Sequence, residues 1–278
     1  MIKRLLIANR GEIACRIIKT CQQMGIETVA VCSLCDKSQR HVKLADRSVC
    51  IGDNDAASSY LNINNIIQAA LSTECDAIHP GYGFLSENHE FALKVKASGL
   101  IFVGPNPEAI RLANNKVQLK NKAKMIGIPV VDGSDDIITS KKQADDWASR
   151  VGFPLIIKAN HGEGGRSIMI AQNHDQLYQA FQTLKDRSVD IYIETFHQQV
   201  KHIEVQLVAD HHGNMVFLGL RDCSMQLDFA KVVEETCDWL DHSHQKNIIQ
   251  DAIAIAKTIG IDNACTVEFL IDPCHDHF

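Results

Sequence analysis

Ile156-Ile157-Lys158-Ala159-Asn160-His161-Gly162-Glu163-Gly164-Gly165-Arg166-Ser167 decides how this chain reads. An apolar run of strand character delivers a lysine and then enters a loop with three glycines. Small residues let backbone N–H groups approach phosphate oxygens closely, and the lysine ammonium adds a compact positive charge. The stretch is a candidate phosphate cradle. It is not a Walker A loop, because no Gly-Lys-Ser/Thr follows the glycines, and it lacks the Gly-x-Gly-x-x-Gly dinucleotide spacing. A glycine-rich hairpin carrying a surface lysine fits the same residues, so the flanking sequence has to discriminate.

Around this stretch the pattern is that of a compact α+β module. It predicts a helix over 141–151, strands over 155–159 and 168–171, a helix over 175–185 and a strand over 191–194. The sequence before it alternates short apolar runs with helix-period segments, the signature of βα units around a mostly parallel sheet. Strands are predicted at 5–8, 28–32, 49–51, 77–79 and 101–103. A helix over 12–24 carries Ile13, Ile17, Cys21 and Met24 on one face and ends at Gly25, and another spans 63–71. After Pro105 and Pro107, one helical stretch over 108–125 bridges to the glycine-loop module. Beyond it, strands at 203–209 and 215–220 flank Asp210-His211-His212-Gly213-Asn214, which predicts a hairpin. A helix over 244–259 and a strand over 266–271 follow.

The 278 residues are 45% hydrophobic and 22% charged, enough for more than one packed unit and too apolar for disorder. A net charge of −6 excludes an extended phosphate-backbone binder, which needs a broad basic face, so no nucleic-acid partner is expected. No apolar run reaches membrane-spanning length and the N-terminus has too short an apolar segment for a signal peptide, which places the protein in the cytoplasm with no membrane partner. Ten cysteines include the singly placed Cys15, Cys21, Cys32, Cys50, Cys75 and Cys223, which read as buried free thiols in a reducing compartment. Cys32 and Cys35 form a Cys-x-x-Cys, but no second pair lies at zinc-site spacing.

Two further stretches follow predicted strands, where α/β sheets open their ligand crevices. They are Asn9-Arg10-Gly11-Glu12-Ile13-Ala14 and His79-Pro80-Gly81-Tyr82-Gly83-Phe84-Leu85-Ser86-Glu87-Asn88, the second with a Ser-Glu pair suited to capping the next helix. Taken singly, each reads as an ordinary turn. Together with Phe102-Val103-Gly104-Pro105 and Arg221-Asp222-Cys223-Ser224-Met225-Gln226, in this order and spacing, they resemble the signature stretches of biotin carboxylases. Those include the carboxylase domains of acetyl-, propionyl- and methylcrotonyl-CoA carboxylases and of pyruvate carboxylase. The resemblance runs from about Ile2 to Ile271. It implies an α/β and α+β fold: a Rossmann-like pre-ATP-grasp domain over 1–114, a linker helix and ATP-grasp lid over 115–202, and an incomplete C-terminal ATP-grasp subdomain over 203–278.

The resemblance also implies roles for residues. Lys116 and Lys158 are directed at phosphates, and Gly162, Gly164, Gly165 and Arg166 belong to the lid loop that folds over the triphosphate. Glu194 falls at the adenine end, although the lysine that usually follows it is Thr195 here. His202, Glu204 and Gln226 match nucleotide-site positions. Lys231 matches the catalytic lysine that helps hold bicarbonate and phosphate, and Glu268 matches a carboxylate that holds magnesium. Implied cofactors are ATP and Mg2+, with biotin as a carrier-bound substrate. The implied reaction phosphorylates bicarbonate and carboxylates biotin, in partnership with a biotin carboxyl carrier protein or domain and a carboxyltransferase. The family also allows a homodimer.

Two departures oppose full activity. Where the family has two arginines, a histidine and a glutamine before the lysine, this chain has Leu227-Asp228-Phe229-Ala230. Losing cations and adding an anion near a phosphate site removes interactions of about 1 to 4 kcal/mol each. On the resemblance, the sequence also stops ahead of a second magnesium carboxylate and the residues that handle bicarbonate and biotin. An impaired or partial carboxylase is therefore expected. The alternative is a catalytically inactive nucleotide-binding remnant or partner-binding module.

Overall fold

The computed structural model describes residues 1–160, 168–187 and 189–272. Gly162, Gly164, Gly165 and Arg166 of the glycine loop lie outside the described residues. The chain divides into two compact units, Met1–Arg111 and Leu112–Phe278.

The first unit runs β1 (Arg4–Ile7), α1 (Gly11–Gln23), β2 (Glu27–Ser33), α2 (Arg40–Leu44), β3 (Arg47–Gly52), α3 (Ile63–Ser72), β4 (Ala77–His79), α4 (His89–Ala97) and β5 (Ile101–Phe102). All strand pairings are parallel and the order is β3-β2-β1-β4-β5, so the sequence order reverses between β1 and β4. The period-2 alternation of strand side chains explains how both faces are filled. Leu6, Ala8, Val29 and Val31 pack against Ile66, Phe91 and Val95 of α3 and α4. Leu5, Ile7 and Ala77 pack on the other side against Ala14, Ile17, Ile18 and Cys21 of α1. That helix ends in a Schellman turn, with Ile26 N–H donating to Cys21 O at 2.9 Å and Gly25 N–H to Gln22 O at 3.2 Å.

At the switch point the two quoted turns lock each other. Asn9 is 3% exposed, and its Nδ2 donates to Pro80 O and Tyr82 O, each at 2.7 Å, while its Oδ1 accepts from Arg10 N–H at 2.8 Å. Gly81 is required there: its φ is +68°, and a Cβ would lie 2.8 Å from Asn9 Nδ2. Three details differ from the sequence reading. The α4 cap is Asn88, whose side chain accepts from Phe91 N–H at 2.9 Å, rather than Ser86 or Glu87. Helix α2 was not foreseen, since five residues are too few to show a period. Cys50 is exposed and Cys15 only partly buried, because β3 is an edge strand and α1 carries Cys15 at the rim of its buried face.

The second unit follows α5 (Pro107–Asn114), which carries the boundary. Its elements are α6 (Lys116–Met125), α7 (Lys141–Val151), β6 (Leu155–Ala159), β7 (Ile168–Ala171), α8 (His174–Asp186), β8 (Ile191–Thr195), β9 (Lys201–Ala209), β10 (Met215–Asp222), β11 (Gln226–Leu227), β12 (Ala230–Lys231), β13 (Glu235–Thr236), α9 (His242–Thr258) and β14 (Ala264–Ile271). The single helix expected over 108–125 is two. Asn115 leaves the helical region at φ −93° and ψ 94°, and its side chain accepts from Gln118 N–H, capping α6 in place of continuing α5.

Two antiparallel sheets organise this unit. The first, in order β7-β6-β8, buries Leu155, Ile157, Ile191 and Ile193 against α7 and α8. The second, in order β13-β10-β9-β14, buries Ile203, Val205, Leu207 and Phe269 against Ile248, Ala252 and Ala256 of α9. Each sheet therefore turns its alternate residues, among them Lys158, Glu194, His202, Glu204 and Glu268, away from its helices.

Replacing Asn9 with alanine leaves the Pro80 and Tyr82 carbonyls without their donor. We expect urea unfolding to show a loss of about 2 kcal/mol, assigned to the first unit. A loss below about 0.5 kcal/mol would show that the two turns are held by other means.

Candidate nucleotide and metal site

On the open face of β6 and β8 the register sets Ile156 opposite Glu194 and Lys158 opposite Tyr192. Lys158 therefore sits diagonal to Glu194 on one face, a reach suited to a long side chain. Glu194 is 6% exposed and takes a lysine on each oxygen: Lys120 Nζ donates to Oε1 at 2.7 Å and Lys158 Nζ to Oε2 at 2.6 Å. Burial alone pushes the Glu194 carboxyl up, but Lys158 and Lys120 outweigh it and hold the group below the usual range. Gly133, bridged to Glu194 by backbone pairing, leaves room for this arrangement, since a Cβ would meet Lys120 Nζ at 2.5 Å and Glu194 Cγ at 2.9 Å. Two cations share one anion, so the pair keeps a net positive charge in a low-dielectric place. That surplus favours a phosphate.

On the second sheet, Glu204 of β9 lies directly opposite Glu268 of β14 and Arg221 of β10. Two carboxylates facing each other about 5 Å apart repel by about 1 to 3 kcal/mol, depending on screening. Lys231 relieves this by donating to both Glu204 and Glu268. Arg221 Nη2 donates to the other oxygen of Glu204 at 2.6 Å. Desolvation pushes the Glu268 carboxyl up, while the hydrogen bond and charge of Lys231 and the charge of Lys116 hold it below its ordinary value. His202 is kept neutral by burial, and the charges of Glu268, Lys231 and Lys158 all act on it. Lys116, Lys158, His202, Lys231 and Glu268 thus share one electrostatic neighbourhood within this unit.

The segment that departs from the family pattern builds the support for Lys231. Gln226 pairs with Lys231 and Leu227 with Ala230 in a two-residue hairpin, with Asp228 at φ 49° and Phe229 at φ 63°. Both central residues are left-handed, the geometry of a type I′ turn. Gln226 Nε2 donates to Cys223 O at 3.0 Å, so its amide fastens this turn. Asp222 accepts from Ser224 N–H and Trp239 Nε1, each at 2.9 Å, and Ser224 Oγ accepts from His202 N–H at 3.0 Å. The Arg221-Asp222-Cys223-Ser224 stretch therefore sets both Arg221 and His202.

Lys120 and Arg221 are site residues the sequence reading passed over as side chains. Lys120 had a signal: it follows Lys116 by four residues, on the same face of α6. The exposed carboxylate of Glu268, with Glu204 beside it, offers the hard oxygen donors that magnesium prefers. The open faces of the two sheets and α6 thus bring lysines and carboxylates into one unit.

An ATP-grasp architecture joined to a Rossmann-like unit is the class that this fold and site define. The chain belongs to the family described as carbamoyl-phosphate synthase L chain, ATP binding domain, over residues 115–278, and residues 1–110 match the biotin carboxylase N-terminal domain. It is 42% identical over 279 residues to biotin carboxylase 1 of Bacillus subtilis, covering 98% of this chain and 62% of that protein. It is 44% identical over 280 residues to the biotin carboxylase of Allochromatium vinosum, with 98% and 62% covered. Among solved structures, a biotin carboxylase–beta-gamma-ATP complex from Campylobacter jejuni superimposes with a TM-score of 0.95 at 40% identity, covering 99% of this chain and 64% of that one. The biotin carboxylase domain of Hydrogenobacter thermophilus 2-oxoglutarate carboxylase, bound to MgADP, ADP and bicarbonate, gives 0.94 at 38% identity, with 99% and 62% covered. The chain thus spans less than two thirds of these relatives, matching their N-terminal part. It carries the N-terminal and ATP-binding domains of the biotin carboxylases. Among the described residues, no helix is long and apolar enough to cross a membrane.

Two predictions follow from the charges. Glu194 has a folded-state pKa below its ordinary 4.5, so the unfolded chain binds its proton first and this contribution to stability exists above about pH 4.5 and fades as pH falls through the folded value. Glu194→Gln should destabilise the second unit by about 3 kcal/mol at pH 7, with the gap to the parent closing in acid. A gap independent of pH would contradict this. Lys231→Met should leave Glu204 and Glu268 in mutual repulsion, so that carbon-13 NMR shows one of them titrating well above its position in the parent. Unchanged titration would remove the bridging role.

Proposed function

We propose that this chain binds MgATP and contributes to the ATP-dependent carboxylation of biotin from bicarbonate, as the biotin carboxylase part of an acyl-CoA or pyruvate carboxylase system. The carrying observation is the surplus of positive charge where Lys120 and Lys158 share Glu194, in the same unit as the carboxylates Glu204 and Glu268. In this reading residues 115–202 act as linker and lid and residues 203–278 belong to the C-terminal ATP-grasp subdomain. Lys116, Lys158 and Lys120 receive the phosphates, with Gly162, Gly164, Gly165 and Arg166 covering them. Glu194 keeps Lys120 and Lys158 extended. His202, neutral, accepts or donates a hydrogen bond to the nucleotide without adding charge, and Gln226 holds the turn beside it.

Magnesium would be held by Glu268 with Glu204 across the ladder, and when bound it neutralises charge on the phosphates. Lys231 is the catalytic lysine of this proposal. Its ammonium, already between two carboxylates, is positioned to balance the charge of bicarbonate and of the phosphoryl group it receives. Partners are a biotin carboxyl carrier protein or domain and a carboxyltransferase, in the cytoplasm, with a homodimer as the assembly.

A second reading, nucleotide binding without carboxylation, is favoured by one observation: the β11–β12 hairpin presents Leu227, Asp228, Phe229 and Ala230 where the family places cations. Calorimetry should detect MgATP binding that weakens more than tenfold, or about 1.4 kcal/mol, in Lys158→Ala. No heat with the parent chain removes both readings. Bicarbonate-stimulated release of ADP by the parent chain selects the first, and binding without such release selects the second.

A further inference from the structure

The Cys-x-x-Cys of Cys32 and Cys35 is not the pair that the fold brings together. Cys35 Sγ lies 3.2 Å from Ser33 Oγ, whereas Cys32 on β2 is the direct register partner of Cys50 on β3. In parallel strands register partners project to the same face. Cys32 Sγ contacts Val49 O at 3.7 Å and Cys50 Sγ contacts Gly52 O at 3.6 Å, so both thiols lie along the β3 edge. Adjacent strands are about 4.8 Å apart, inside the Cα separation of about 4.4 to 6.8 Å that a disulfide spans. Cys50 is exposed on the edge strand and Cys32 is buried behind it.

We propose that Cys32 and Cys50 are a modification site, forming a reversible disulfide across the edge of the first unit when the chain meets a peroxide. The oxidant is hydrogen peroxide. The exposed Cys50 thiolate attacks one peroxide oxygen, the O–O bond breaks, and hydroxide leaves and takes up the thiol's proton as water. The Cys50 sulfenic acid is then attacked by Cys32, the S–O bond breaks, the S–S bond forms, and the hydroxyl leaves with the Cys32 proton as a second water. Two electrons pass from the sulfurs to the peroxide. Burial and the neighbouring Cys50 push the Cys32 thiol up, while Lys37 pulls it down, and it is the exposed Cys50 that meets the peroxide first. A bridge reached from solvent through the exposed Cys50 is open to reductants, the property of a regulatory rather than a structural disulfide.

The test treats the full chain with hydrogen peroxide, alkylates the remaining thiols, digests it and sequences cross-linked peptides by tandem mass spectrometry. The expected product joins Cys32 to Cys50 with the loss of two hydrogens, disappears on dithiothreitol treatment and in Cys50→Ser, and persists in Cys35→Ser. A bridge from Cys50 to Cys35 or Cys21, a Cys50 sulfinic acid without a bridge, or full alkylation of both thiols after peroxide would each overturn the proposal.

Discussion

Glu194 is the constraint on which the second unit's site depends. A buried carboxylate is costly unless paired, and this one is paired twice, with lysines from α6 and β6. The arrangement fixes two long, otherwise mobile side chains in one place and leaves a net cation there. Three features converge on it: the β6–β8 register that sets Lys158 diagonal to it, the Asn115 cap that starts α6 where Lys120 can reach it, and Gly133, whose missing side chain makes space. A substitution at any of these disturbs the charge balance around Glu194.

The second sheet solves the complementary problem. Setting Glu204 opposite Glu268 concentrates negative charge, which suits a divalent cation and is unfavourable without one. Lys231 supplies the balance from a separate hairpin whose turn residues, Asp228 and Phe229, both adopt left-handed backbone conformations. The segment that departs from the family pattern is therefore the hairpin that carries Lys231. Lys231 keeps its place between Glu204 and Glu268 all the same.

Much of the architecture was legible because it follows from period. The 3.6-residue spacing of α1 reports burial on one face, whereas β1 reads as a short apolar run because both its faces are buried, and both elements sit where those patterns put them. Helix α2 was not legible, being too short to show a period, and the break at Asn115 was hidden inside a continuous helical pattern. At the site, the lysines and carboxylates were legible as residue types, through their likeness to a family. Their partners were not. Lys120 meets Glu194 across 74 positions of sequence, and Cys32 meets Cys50 rather than the nearby Cys35, because strand register sets those meetings and spacing in sequence does not record it.

The claim that Glu194 acts by holding its lysines is tested most directly by a double-mutant cycle on MgATP affinity, using Lys158→Met, Glu194→Gln and the pair together. If Glu194 works through Lys158, the double variant binds MgATP little worse than Lys158→Met alone, giving a coupling energy of about 1 kcal/mol or more. Strictly additive losses would contradict the account, because they would mean that the carboxylate and the lysine reach the nucleotide independently.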